Sequence, residues 1–139
     1  MSIMNPKEGL LSALSVVVVV LAAFLARPML SMILHTNVPM AVVSSWSMEP
    51  VLHVGDMIVV VGAHEINEGK IILFKSPVHG RLVVHRVVGV SEEGYVTKGD
   101  ANAVPDYVPV PPRNVHGEVL LVVPYLGVLR LVVGKLLGL

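Results

Sequence analysis

The 139-residue chain contains no cysteine. Disulfides, thiolate metal sites and a cysteine nucleophile are therefore excluded together, and stability must come from packing. Charge is scarce as well: Asp, Glu, Lys and Arg make up 14% of the residues and cancel to a formal net charge of zero. Without a Lys/Arg cluster a nucleic-acid partner held by phosphate contacts has little support, and none is expected. There is no His-Glu-x-x-His segment and no phosphate-binding loop, and the histidines show no ligand spacing. Metal hydrolysis and nucleotide chemistry have no foothold, and no cofactor is expected. No internal repeat is visible.

What fills the chain instead is apolar. Hydrophobic residues make up 54% and the mean hydropathy is +0.77, values that point to a membrane-associated protein. Much of the excess is valine, whose branched side chain favours strands, so the body is expected to be mainly β. From Gly9 to Ala26 no charge occurs. At about 1.5 Å per residue this run nearly covers a bilayer's hydrocarbon core, and it reads as a transmembrane helix, extended by Met29 to Leu34 with a kink at Pro28. A cleaved signal peptide ending near Ala26 is the competing reading, disfavoured by the length of the run and by Arg27-Pro28 at the cut. A buried core helix would need a larger body around it. The expected organisation is a tail over 1–8, an anchor over 9–34, a β-rich catalytic domain over 35–123 and a C-terminal segment over 124–139.

Within the body, apolar runs at 40–43, 56–61, 70–74, 81–90, 94–98 and 117–123 are separated by Gly, Asn and Pro. That spacing predicts short strands in an antiparallel β-sheet, as a sandwich or a coiled sheet. Val104 to Asn114 carries four prolines and is not expected to be regular. The final segment is apolar but interrupted by Arg130 and Lys135. An amphipathic helix in the headgroup region and a helix packed on the body are equal readings of it.

Three polar islands interrupt this background. Ser44-Ser45-Trp46-Ser47-Met48-Glu49-Pro50 offers a nucleophile that needs a base; Leu82-Val83-Val84-His85-Arg86-Val87-Val88 offers one; Thr97-Lys98-Gly99-Asp100-Ala101-Asn102, with Asp106 beyond, offers two carboxylates. Serine, histidine and carboxylate are the parts of a proton-relay nucleophile. On a strand, Val83, His85 and Val87 share one face, which would hold the imidazole on an apolar wall. His35, His53, His64, His79 and His116 read as core or surface residues.

Together the Ser-x-Ser-Met-x-Pro box, the His-Arg-Val segment and the Lys-Gly-Asp-x-Asn loop resemble a type I signal peptidase. The likeness is to the archaeal and endoplasmic-reticulum branch, because histidine stands at 85 where the bacterial branch has lysine. It implies the fold shared with LexA-like self-cleaving repressors, and a membrane-bound serine endopeptidase acting on signal-peptide-bearing preproteins near the translocation channel, with its body outside the cytoplasm. It implies Ser47 as nucleophile, His85 as general base and Ser45 with the Ser47 N–H as oxyanion donors. Asp106 and Asp100 compete to orient His85, Asp106 matching the family's essential carboxylate. Met48 and Pro50 would support the substrate floor and fix the turn. Trp46 replaces a glycine of the bacterial branch, and Ala101 departs from a doubled asparagine. A catalytically silent, membrane-tethered β module that binds peptides would share the anchor and the sheet but need neither Ser47 nor His85.

Overall fold

The charge-free N-terminal run forms one long helix in the computed structural model, which describes residues 6–63 and 65–138. This helix, α1, covers Pro6–Ile33 and continues through Pro28. Its stretch Gly9–Ile33 is long and apolar enough to cross a membrane, and none of it is buried in the protein. A core helix would be covered by other elements, so that reading is excluded. Of the expected tail, residues 1–5 lie outside the described residues, as do His64 and Leu139.

The body is a single six-stranded antiparallel sheet. Its strands are β1 (Met40–Val42), β2 (Met57–Val61), β3 (Ile71–Lys75), β4 (Leu82–Ser91), β5 (Gly94–Lys98) and β6 (Val115–Val123). Their spatial order is β1-β2-β6-β3-β4-β5, so the last strand inserts between the second and third. Register shifts interrupt the β2–β6, β3–β6 and β4–β5 ladders. An extra residue in one strand of a pair bends it and increases its twist, which coils the sheet rather than leaving it flat. The proline-rich stretch contributes a bridge from Val110 to Tyr95 and one 3-10 turn at Pro112–Asn114.

Both faces of the sheet carry a core. Val43, Met48, Leu52, Ile58, Val60 and Leu73 form one buried cluster; Ile72, Phe74, Val87 and Val110 form the other. Strand β3 supplies both, because neighbouring side chains on a strand point to opposite faces. A second helix, α2 (Val128–Leu137), closes the chain. Its start is tied to the body: the Gly127 N–H donates to Gly55 O at 2.9 Å, and the Tyr125 N–H donates to the buried Asp56 carboxylate at 3.1 Å. Leu129, Leu136 and Leu137 farther along remain exposed. The helix is thus docked at its first turn and apolar to the outside beyond it.

Candidate active site

The serine box follows β1 as a tight turn. The Glu49 N–H donates to Trp46 O at 3.1 Å, and the N–H groups of Val51 and Leu52 both donate to Met48 O at 3.0 Å. Met48 is fully buried beside Leu52. It does not line the groove described below. Trp46 points into solvent, 72% exposed, so its departure from glycine leaves the groove wall unchanged. The Glu49–Pro50 peptide is cis. Because Met48 pins the turn that presents Ser47, Met48→Ala should lower unfolding free energy by about 2–5 kcal/mol, measurable by denaturant titration of the full chain in detergent micelles.

His85 sits midway along β4, opposite Ile72 and edge-on to the Phe74 ring at 6.2 Å. It is buried, and its two ring nitrogens reach two other islands. Nε2 lies 3.2 Å from Ser47 Oγ, and Nδ1 lies 2.7 Å from Asp106 Oδ2. Asp106 is held in turn by its own N–H, which donates to Thr97 O at 2.8 Å. The hydroxyl of Thr97, itself fully buried, donates to Asp106 Oδ2 at 2.7 Å. An ionised carboxylate only accepts hydrogen bonds, so the network assigns the proton to Nδ1 and leaves the Nε2 lone pair facing the serine hydroxyl.

Asp100 goes elsewhere. Its two oxygens accept from Arg86 Nε at 2.8 Å and Arg86 Nη2 at 2.7 Å, a bidentate pair, while Arg86 Nη1 donates to Gly69 O at 2.8 Å. The hydrogen bond to Asp100 raises the Arg86 pKa above its ordinary value, against the opposing effect of burial and with help from the Asp100 charge. The guanidinium therefore stays charged, and the pair ties β4 to the loop after β5. That loop clasps the serine turn: the Ala101 N–H donates to Ser47 O at 2.9 Å. A Cβ on Gly99 would lie 2.5 Å from the same Ser47 oxygen, so only glycine allows this approach. Gly99→Ala should shift Ser47 and lower any reaction that uses its hydroxyl about 100-fold, since a misplacement near 1 Å has that cost; an activity assay beside a melting curve separates this from unfolding.

Ser45 Oγ lies 3.2 Å from Ser47 Oγ on the open side. Of the remaining histidines, His53 faces Glu49 at 3.4 Å and Asp56 at 3.6 Å; His79 lines the groove; His35 and His116 line a separate cleft. Thr97, Arg86 and Gly99 complete the arrangement: all three stand inside the histidine and aspartate islands, Arg86 and Gly99 within the motifs quoted for the resemblance, but residue type alone gave none of them a role. No cluster of three or more His, Asp or Glu side chains suited to a metal ion occurs among the described residues.

Around Ser47 and His85 opens a groove of about 1700 Å³. Its wall includes Met40 to Val42 of the edge strand β1 and Val43 after it, Leu73 and Phe74 of β3, Val83 of β4 and Leu131 of α2. Small-molecule pockets usually hold about 300–1,000 Å³, so this groove exceeds that range.

Residues 12–99 match the family model described as signal peptidase, peptidase S26. That span includes Ser45, Ser47 and His85 and stops before Asp100 and Asp106. The signal peptidase complex catalytic subunit SEC11C of Homo sapiens is 33% identical over 110 residues, covering 74% of this chain and 57% of the relative, and the Canis lupus familiaris protein gives the same values. The SEC11 catalytic subunit of Clavispora lusitaniae is 32% identical over 108 residues, covering 74% of this chain and 65% of the relative. The chain thus spans about three fifths of the length of the curated relatives it matches.

Proposed function

The chain belongs to the signal peptidase family, peptidase S26, and on that premise we propose that it is a membrane-bound serine endopeptidase that removes signal peptides from exported preproteins. The observation that carries this reading is the continuous contact from Ser47 Oγ through His85 to Asp106, at 3.2 and 2.7 Å, opening onto the groove.

The Ser47 oxygen attacks the carbonyl carbon of the scissile peptide bond while His85 Nε2 takes the hydroxyl proton. Asp106 balances the imidazolium charge and keeps the ring in the working tautomer. The developing oxyanion is held by the Ser47 N–H and the Ser45 hydroxyl. His85 then protonates the departing amine, leaving the signal peptide's carboxyl end as an ester on Ser47. Water, deprotonated by the same nitrogen, releases it. Thr97 and Asp100 are positioning residues: Thr97 fixes the Asp106 carboxylate, and Asp100 fixes the loop that holds the Ser47 carbonyl.

The preprotein lies extended along the free edge of β1, with the small residues before the cut in the shallow apolar wall of the groove. The exposed Gly9–Ile33 helix supports anchorage in a membrane as a single pass; in the proposed reading this is the cell membrane, with the catalytic body on the extracytoplasmic side at the translocation channel. Confinement to that layer brings the serine to the level where a signal peptide's cleavage site emerges. The relatives are named as subunits of a complex, and this chain works beside such partners in the same reading.

The test is cleavage of a preprotein by the full chain in liposomes, with the new N-terminus sequenced. Cleavage by the wild type and its loss in Ser47→Ala supports the assignment. Full processing by Ser47→Ala would favour the silent peptide-binding module instead.

A further inference from the structure

A second opening, of about 850 Å³, lies where α1 meets the sheet. Arg27, Ser31 and His35 line it from the helix and its exit, and Arg113 and His116 line it from the 3-10 turn and β6. No carboxylate lines it, and neither arginine takes part in an ion pair among the described residues. Two guanidinium forks with adjacent imidazole and hydroxyl groups are the donor set that suits a phosphate group.

The cleft is built on a fixed junction. The Thr36 N–H donates back to Ser31 O at 3.2 Å, with His35 in the left-handed region at φ 50° between them, the Schellman form of a helix end. The Gly62 N–H takes up Leu34 O at 2.7 Å. The buried Thr36 hydroxyl donates to His116 O at 2.6 Å. The carbonyls of Ser31 and Leu34 are thus occupied and do not oppose an anion with free oxygens. These bonds tie the exit of the helix to the end of β2 and to β6, the strand that follows the turn carrying Arg113.

Location selects among phosphate sources. Arg27 is the first charge after the apolar run that begins at Gly9, which puts the cleft at the level where the helix leaves the hydrocarbon. Pro28 and Met32 complete the wall with apolar surface. We propose that this cleft binds the phosphate headgroup of an anionic glycerophospholipid, with the start of its acyl chains against α1. The proposal rests on the anchored reading of α1 and not on the catalytic one. Arg27 also borders the Ser47 groove, so binding rather than cleavage is the readout to use.

The full chain in neutral detergent micelles is titrated with phosphatidylglycerol or phosphatidylcholine, and bound lipid is counted by native mass spectrometry. Phosphatidylglycerol should be retained at one molecule per chain and preferred over phosphatidylcholine. Arg27→Gln with Arg113→Gln should weaken that retention about tenfold or more, the loss expected for two charge-assisted contacts. Arg27→Lys with Arg113→Lys should restore most of it, and Lys98→Gln on the outer strand β5 should leave it unchanged. A glutamine pair that melts like the wild type and keeps full retention overturns the proposal. So does displacement of the lipid by millimolar inorganic phosphate, which would assign the site to a soluble anion. Release of the chain from membranes by alkaline carbonate would sink the anchor itself, a failure distinct from lost lipid selectivity in an embedded chain.

Discussion

On the proposed mechanism, Ser47→Ala or His85→Ala should reduce preprotein cleavage on the order of 10⁴- to 10⁶-fold, the range seen when one member of a serine–base unit is removed. Alanine at 47 leaves no atom to carry the acyl group. Alanine at 85 leaves the hydroxyl with no acceptor for its proton, because the Nε2 contact at 3.2 Å is the path off the oxygen. Combining the two changes should cost hardly more than either alone, since residues acting as one unit are not additive. His85→Lys is the sharper comparison. A lysine amine must be neutral to serve as base, yet Asp106 Oδ2 sits 2.7 Å from the present ring nitrogen and would hold a nearby ammonium in its charged form. The lysine variant should therefore stay as inactive as alanine. Recovery of cleavage with lysine would show that the Asp106 carboxylate does not govern the base.

How much of this was readable in advance follows from which interactions are local. The anchor is legible because a run without charge from Gly9 needs no tertiary context to be helical and apolar, and α1 does run through it to Ile33. The strands are legible to within two residues or so because Gly69, Gly94 and similar breakers stop the valine runs. Strand order is not. Nothing near Val115–Val123 records that it will pair with both β2 and β3, since edge choice depends on ladders remote in sequence. Residue type identified Ser47, His85 and the two aspartates as candidates, but not how the carboxylates divide. Asp100 and Asp106 both stand in turns; their partners, Arg86 and His85, are adjacent on β4 and point to opposite faces. A one-residue difference on a strand separates the two roles, and only the register against β5 decides which aspartate meets which side chain. Thr97 stayed hidden for the same reason, as its hydroxyl gains meaning only once Asp106 folds back over it.

That division gives the second large effect. Asp106→Asn keeps the size of the side chain, but Oδ2 accepts from both His85 Nδ1 and the Thr97 hydroxyl, and an NH₂ group in its place removes the acceptor from both and offers His85 Nδ1 a donor instead. Donation from asparagine would place the imidazole proton on Nε2, facing Ser47, where a lone pair is required. An exchange of this kind lowers kcat by about 10⁴ where the rest of a serine triad is intact. Asp100→Asn acts on a different structure. It weakens the bidentate hold on Arg86 and, through the loop at Ala101, loosens the Ser47 carbonyl, an indirect misplacement whose cost is about 10- to 100-fold. The two variants should also separate in kind. Asp106→Asn should lower kcat with little change in KM, since the groove wall keeps its shape. For Asp100→Asn, Asp100→Glu should recover part of the loss by re-forming a charged contact to Arg86. Equal losses in both variants would place both carboxylates in one relay, and a larger loss at Asp100 would exchange their roles.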